Sequence, residues 1–270
     1  MRVNPARPAA FFDLDKTIIA KSSALAFSRP FYAKGLLSRR TVLRSGIAQF
    51  MFALNGADHD RLSLIRDEIS RMVTGWDVDT VNATIEETLH EIIDPMIHAE
   101  AVELIAMHRE QGLPIVIVSA SGEVMVEPIG RRLGVDHVIA TQMSVIDNKF
   151  SGEITFYAYG DNKAEAMREL AEREGYDLAE SYAYSDSMTD VPMLEAVGHP
   201  YVVNPDKPLR KLAEERDWPI LEFKRPIALS SQTNYKPTLS QVAVGGALLG
   251  TAAIAGVVRY KLRNKFAREI

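Results

Sequence analysis

Asp13 and Asp15 stand two residues apart at the end of an apolar run, FFDLDKTII, with Thr17 two residues further on. A carboxylate beside a buried strand is costly unless a cation or hydrogen-bond donors compensate it. Other polar residues sit at similar places. Ser119 ends the apolar stretch PIVIVSAS, and Asp186 and Asp190 fall in YSDSMTD behind another apolar segment. Lys163 opens a helical pattern in GDNKAEAM. Several carboxylates brought together repel one another unless a cation lies between them. Oxygen-only ligands of this kind suit Mg2+, which pairs one or two carboxylates with waters and a phosphate. One carboxylate can attack phosphorus to give an aspartyl-phosphate. A second can protonate the leaving oxygen and later activate water. A lysine and a hydroxyl would meet the negative charge of the phosphoryl group.

These residues converge only if the right elements carry them. Ala9 to Leu14, Pro114 to Ser121, Asp136 to Met143, Ser181 to Ser187 and His199 to Pro205 read as strands, the last of these closing the series. Glu153 to Tyr159 reads as an edge strand or hairpin, and Ala99 to Arg109 and Lys163 to Glu174 as helices, with Asp161 capping the second. Alternating strands and helices predict an α/β fold, a Rossmann-like parallel sheet covered on both faces. In such sheets ligands bind at the carboxyl ends of the strands, where the polar residues lie. Residues 22–93 show helical spacing and no strand, too long for one crossover. They are expected to form an inserted helical cap. The catalytic core is then 1–21 with 94–223, followed by a linker at 224–240 and an apolar C-terminal helix with a basic end at 241–270.

The chain has 270 residues, 47% of them hydrophobic, and a formal net charge of −5, which gives no global footprint for nucleic acid. The absence of cysteine excludes disulfides and thiolate metal sites. The N-terminal stretch lacks a long apolar signal core, so a cytoplasmic protein is expected. The six histidines show no metal-ligand spacing.

In their order, DLDKT, VSAS, Lys163 and YSDSMTD resemble the four motifs of the haloacid dehalogenase superfamily. The similarity is to its phosphoserine-phosphatase-like branch, subfamily IB, and spans roughly residues 8–220. The resemblance implies a magnesium-dependent phosphatase acting on a small phosphorylated substrate. It implies Asp13 as nucleophile and metal ligand, and Asp15 as general acid/base with its main-chain carbonyl on the metal. Asp186 would be the second metal carboxylate. Thr17 would hold the first loop, Ser119 and Ala120 would bind phosphate, Lys163 would neutralise Asp13, and Asp190 would hold Lys163 or the outer shell of the metal. The sequence departs from that branch at three places. Ser22 stands where a glutamate would meet a substrate ammonium, Ala120 where a glycine is usual, and Thr189 where asparagine is usual. The first change weakens selection for an amino group.

Two segments lie outside this logic. Arg39, Arg40 and Arg44 form a basic cluster, either a solvated helix face or a recognition surface for an anionic substrate part. Val242 to Val258 carries no charge, contains Gly246-x-x-x-Gly250, and precedes Arg259, Lys261, Arg263 and Lys265. At helical rise it spans about 26 Å, the short end of a membrane crossing. It reads either as a membrane anchor or surface helix, or as a helix packed on protein. The first reading would make phosphorylated lipids or their precursors substrates. Rival functions are a phosphotransferase and a membrane-associated, non-catalytic regulator.

Overall fold

A computed structural model describes residues 6–37 and 59–225. Its centre is a seven-stranded sheet in the order β4-β3-β2-β1-β5-β6-β7. The strands are β1 (Ala10–Phe12), β2 (Ile115–Gly122), β3 (His137–Ile146), β4 (Lys149–Phe156), β5 (Tyr182–Ser185), β6 (His199–Val203) and β7 (Ile220–Leu221). All pairs are parallel except the β3–β4 hairpin. β7 corrects the expectation that His199 to Pro205 is the last strand. Two residues between Pro219 and Glu222 are too few to show a periodicity. The expected edge strand at Glu153 to Tyr159 also shifts, ending at Phe156 where the chain turns toward its next helix.

Both faces of the sheet are covered, and β1 shows why its sequence looks uniformly apolar. Ala10 and Phe12 face one hydrophobic cluster, while Ala9 and Phe11 face the other. β2 divides likewise, with Ile115 and Ile117 on one side and Val116 and Val118 on the other. A strand buried on two faces has no polar side to alternate with. Helices α5 (Ala99–Glu110) and α6 (Glu123–Leu133) cover the first face. Helices α7 (Asp161–Glu174), α8 (Val191–Glu195) and α9 (Lys207–Glu215) cover the second.

Between β1 and β2 the described chain is helical: α1 (Ser23–Ala26), α2 (Ser28–Ala33), α3 (His59–Val73) and α4 (Val78–Ile92). Asp77 caps α4 by accepting from the Thr80 N–H at 2.8 Å, and Val81, Ile85 and Leu89 form its buried stripe. The chain entering α4 is tied to β4. Gly75 N–H donates to the Phe150 carbonyl at 2.7 Å, Phe150 N–H to Trp76 at 3.0 Å, and Val78 N–H to Asn148 at 2.9 Å.

Arg39, Arg40, Arg44, all of the expected linker beyond Arg225, and residues 242–258 lie outside the described residues. Among the described residues no helix is long and apolar enough to cross a membrane.

His108 tests the core. It is buried on α5, its Nε2 shares a 2.7 Å hydrogen bond with the Tyr184 hydroxyl, and Phe12 stacks on Tyr184 at 4.5 Å. Burial pushes its pKa down from 6.5 to about 4. The unfolded chain therefore binds the extra proton between those values, so this histidine leaves folding unpenalised above pH 6.5 and opposes it increasingly as pH falls toward 4. The full penalty is about 3 kcal/mol. Chemical denaturation across that range should show a shallower pH dependence for His108→Leu than for the wild type.

Candidate active site

The strand order makes β1 the neighbour of both β2 and β5, with the chain crossing to one side after β1 and to the other after β4. Such a reversal opens a crevice at the carboxyl ends of the strands. Asp13 follows β1, Ser119 lies in the second half of β2, and Asp186 follows β5. The three segments named in the sequence therefore meet at one edge. Asp13 is anchored by its own N–H on the Tyr184 carbonyl at 2.9 Å. The turn after it is held by the Leu14 carbonyl, which accepts from Ile18 and Ile19, both at 3.0 Å. Lys16 takes a positive φ of 65° within that turn. Thr17 is fully buried there, and its hydroxyl has no hydrogen-bond partner, so main-chain bonds hold the loop.

Lys163 lies at the centre of the electrostatics. It is the third residue of α7, and its Nζ donates to Asp13 Oδ1 at 2.6 Å and Asp190 Oδ2 at 2.9 Å. Asp190 is fixed in turn by the Ser185 hydroxyl, which donates to Oδ2 at 2.7 Å. Lys163, Asp13, Asp186 and Asp190 are all at most 6% exposed. The two carboxylates beside it hold the Lys163 pKa above its ordinary value against the opposing effect of burial. Burial pushes Asp13 well up; Lys163 pulls it back, while Asp190 and Asp186 add to the rise. Burial also raises Asp186 to about 7, although the largely exposed Lys16, 3.9 Å away, works against this. Three buried carboxylates face one buried ammonium. That excess of negative charge on oxygen donors fits a divalent cation. Among the described residues no three acidic or histidine side chains form a ready-made metal cage. A set of two carboxylates completed by a main-chain carbonyl does not require one.

Ser119 and Ala120 sit at an irregularity in β2. Ser119 pairs with Ala140 and Gly122 with Thr141, so Ala120 and Ser121 bulge out of the ladder. The buried Thr141 hydroxyl donates to the freed Ala120 carbonyl at 2.8 Å and accepts from Ala158 N–H at 3.2 Å. One side chain thus ties the bulge to the segment leading into α7. Ser119 Oγ is buried and accepts from Ser121 N–H at 3.2 Å, which leaves its own proton for an incoming oxygen.

The structure thus brings Asp13, Asp186, Asp190, Ser119 and Lys163 to one strand-end edge, with Asp15 two residues beyond Asp13. The sequence reading missed Ser185, Ser121, Ser23 and Thr141. Ser121 owes its place to the bulge, which the sequence pattern does not announce. Ser185 adjoins Asp186. Ser23 and Thr141 carried no signal, because their partners are distant in the chain. Asp161 is corrected: Gly160 occupies the cap position with φ 57° and no side-chain cap bond, and Asp161 is the first residue of α7. A backbone turn that favours glycine claimed the position first.

Known proteins show which family this chain resembles. A family model described as haloacid dehalogenase-like hydrolase matches residues 10–195. A probable phosphatase of Mycobacterium tuberculosis is 55% identical over 262 residues, which cover 97% of this chain and 91% of that protein. A phosphoserine phosphatase of the same organism is 36% identical over 247 residues, 91% of this chain and 80% of that one. A crystal structure of a Bordetella pertussis protein of unknown function superposes with a TM-score of 0.72. It is 26% identical and covers 80% of this chain and 98% of its own.

Removing the ammonium should expose how much it balances. Lys163→Met leaves two buried carboxylates unpaired and should cost about 3–5 kcal/mol of stability. Thermal denaturation of the Lys163→Met/Asp190→Asn double variant should recover part of that loss.

Proposed function

This chain belongs to the haloacid dehalogenase-like hydrolases, and on that footing we propose that it is a magnesium-dependent phosphomonoester phosphatase working through a phosphorylated Asp13. The observation that carries the reading is the Asp13–Lys163–Asp190 array at the end of the central strand. A pure binding protein has no need of the second carboxylate, Asp15, beside this array.

Asp13 Oδ attacks phosphorus, forming a new O–P bond as the bond to the leaving oxygen breaks. Asp15 supplies the proton that the leaving oxygen requires, then takes one from the water that cleaves the Asp13 phosphoryl bond. Lys163 offsets charge on Asp13 and the transferring group, and the Ser119 hydroxyl donates to a phosphoryl oxygen. Magnesium, held by Asp13, Asp186 and the Asp15 main-chain carbonyl, supplies further charge neutralisation when bound. The helices between β1 and β2 act as the cap that excludes water and reads the rest of the substrate. Phosphoserine is suggested by the name of the 36%-identical relative. Ser22, which directly precedes α1 here, offers no carboxylate for its ammonium.

Phosphate release should be measured over a panel of phosphomonoesters, including phosphoserine, sugar phosphates and aryl phosphates. Turnover should require magnesium, and Asp13→Asn should lose about a thousandfold or more. Retained turnover in Asp13→Asn, or release unaffected by a chelator, would overturn the mechanism.

A further inference from the structure

Asp15 is the one acid of the site with no cationic partner among the described residues, yet its carboxylate is closely held. Oδ1 accepts from the Ser23 N–H at 2.8 Å. Oδ2 accepts from the Ser121 hydroxyl at 2.9 Å. Ser121 Oγ in turn accepts from the Ser23 hydroxyl at 2.8 Å. The three residues come from separate places: the turn after β1, the first residue of α1, and the bulge of β2. Ser23 is fully buried, so its hydroxyl is committed to this contact. The relay has a fixed direction, Ser23 O–H to Ser121 O–H to Asp15.

We infer that Ser121, oriented by Ser23, is a positioning residue for the acid step carried by Asp15. The inference rests on the phosphatase reading. When Asp15 gives its proton to the leaving oxygen, the P–O bond breaks and a carboxylate is left on Asp15. A hydroxyl already aimed at Oδ2 holds the carboxyl group in one place throughout that transfer. The hydroxyl also fixes the rotamer, so that the proton is presented toward the bond that breaks. The bulge in β2 is what gives Ser121 this reach. A regular ladder would carry residue 121 along the strand instead of out over the turn after β1.

The role makes a demand that a merely structural hydroxyl does not. Acid assistance matters for a poor leaving group, such as a simple alcohol, and hardly at all for p-nitrophenolate, which departs without a proton. With the full-length protein, kcat/KM should be measured for an alkyl phosphate and for p-nitrophenyl phosphate in the wild type, Asp15→Asn, Ser121→Ala and Ser121→Thr. Ser121→Ala should lower the alkyl value about 10- to 100-fold, the worth of one hydrogen bond to a charged group. The aryl value should fall less than about threefold, and Ser121→Thr, which keeps the hydroxyl, should restore most of the alkyl loss. Should Ser121→Ala prove unstable on heating, Ser23→Ala provides the same test from the far end of the relay, with a smaller loss of the same pattern. Equal losses on both substrates, or none, while Asp15→Asn shows the leaving-group dependence, would overturn the inference alone. A wild type that hydrolyses neither ester would remove the phosphatase reading and this inference with it.

Discussion

Everything at the carboxyl edge of the sheet depends on the Lys163 ammonium. It sits between Asp13 and Asp190, out of water, where an unbalanced carboxylate would be severely penalised. The pairing sets a geometric requirement on the rest of the fold. α7 must begin close to the end of β1, although 150 positions separate Asp13 from Lys163. The sheet meets the requirement by placing β1 in the centre, with Asp190 delivered from the loop after β5. Ser185 then fixes Asp190 through one hydroxyl, so the lysine has a single seat.

The same edge shows how a strand can be interrupted to good effect. β2 runs regularly while its side chains fill the core, then bulges at Ala120 and Ser121, beyond the buried Val118. The bulge frees main-chain groups that need partners. Thr141 takes one of them and reaches across to Ala158, so the shelf that carries Ser119 and the segment that carries Lys163 share a support. The Ser119 segment and the lysine segment are thereby tied together by one buried side chain.

Much of this was legible in the sequence, for identifiable reasons. Apolar runs ending in Asp13, Ser119 and Asp186 announce strands and mark their ends at once, because burial on two faces leaves polar residues only where the strand leaves the core. The helical spacing of Leu62 to Met72 and Val81 to Ile92 matches α3 and α4. What escaped was long-range. Thr141 and Ser23 matter through partners about 20 and 100 residues away, and no local pattern reports such a contact. β7 has two residues and exists because β6 offers it an edge. Asp161 looked like a cap because its residue type suits one, but Gly160 had already made the turn.

The ties between the α3–α4 connection and β4 bear on how the molecule behaves in a crowd. β4 lies at one margin of the sheet, where exposed main-chain groups would invite a strand from another molecule. Here Phe150 gives both its N–H and its carbonyl to Trp76 and Gly75, and Asn148 gives its carbonyl to Val78. The opposite margin is the two-residue β7, too short to template much. The insert between β1 and β2 therefore occupies the start of the more extensive of the two margins, where a strand from a neighbouring copy would otherwise begin to pair.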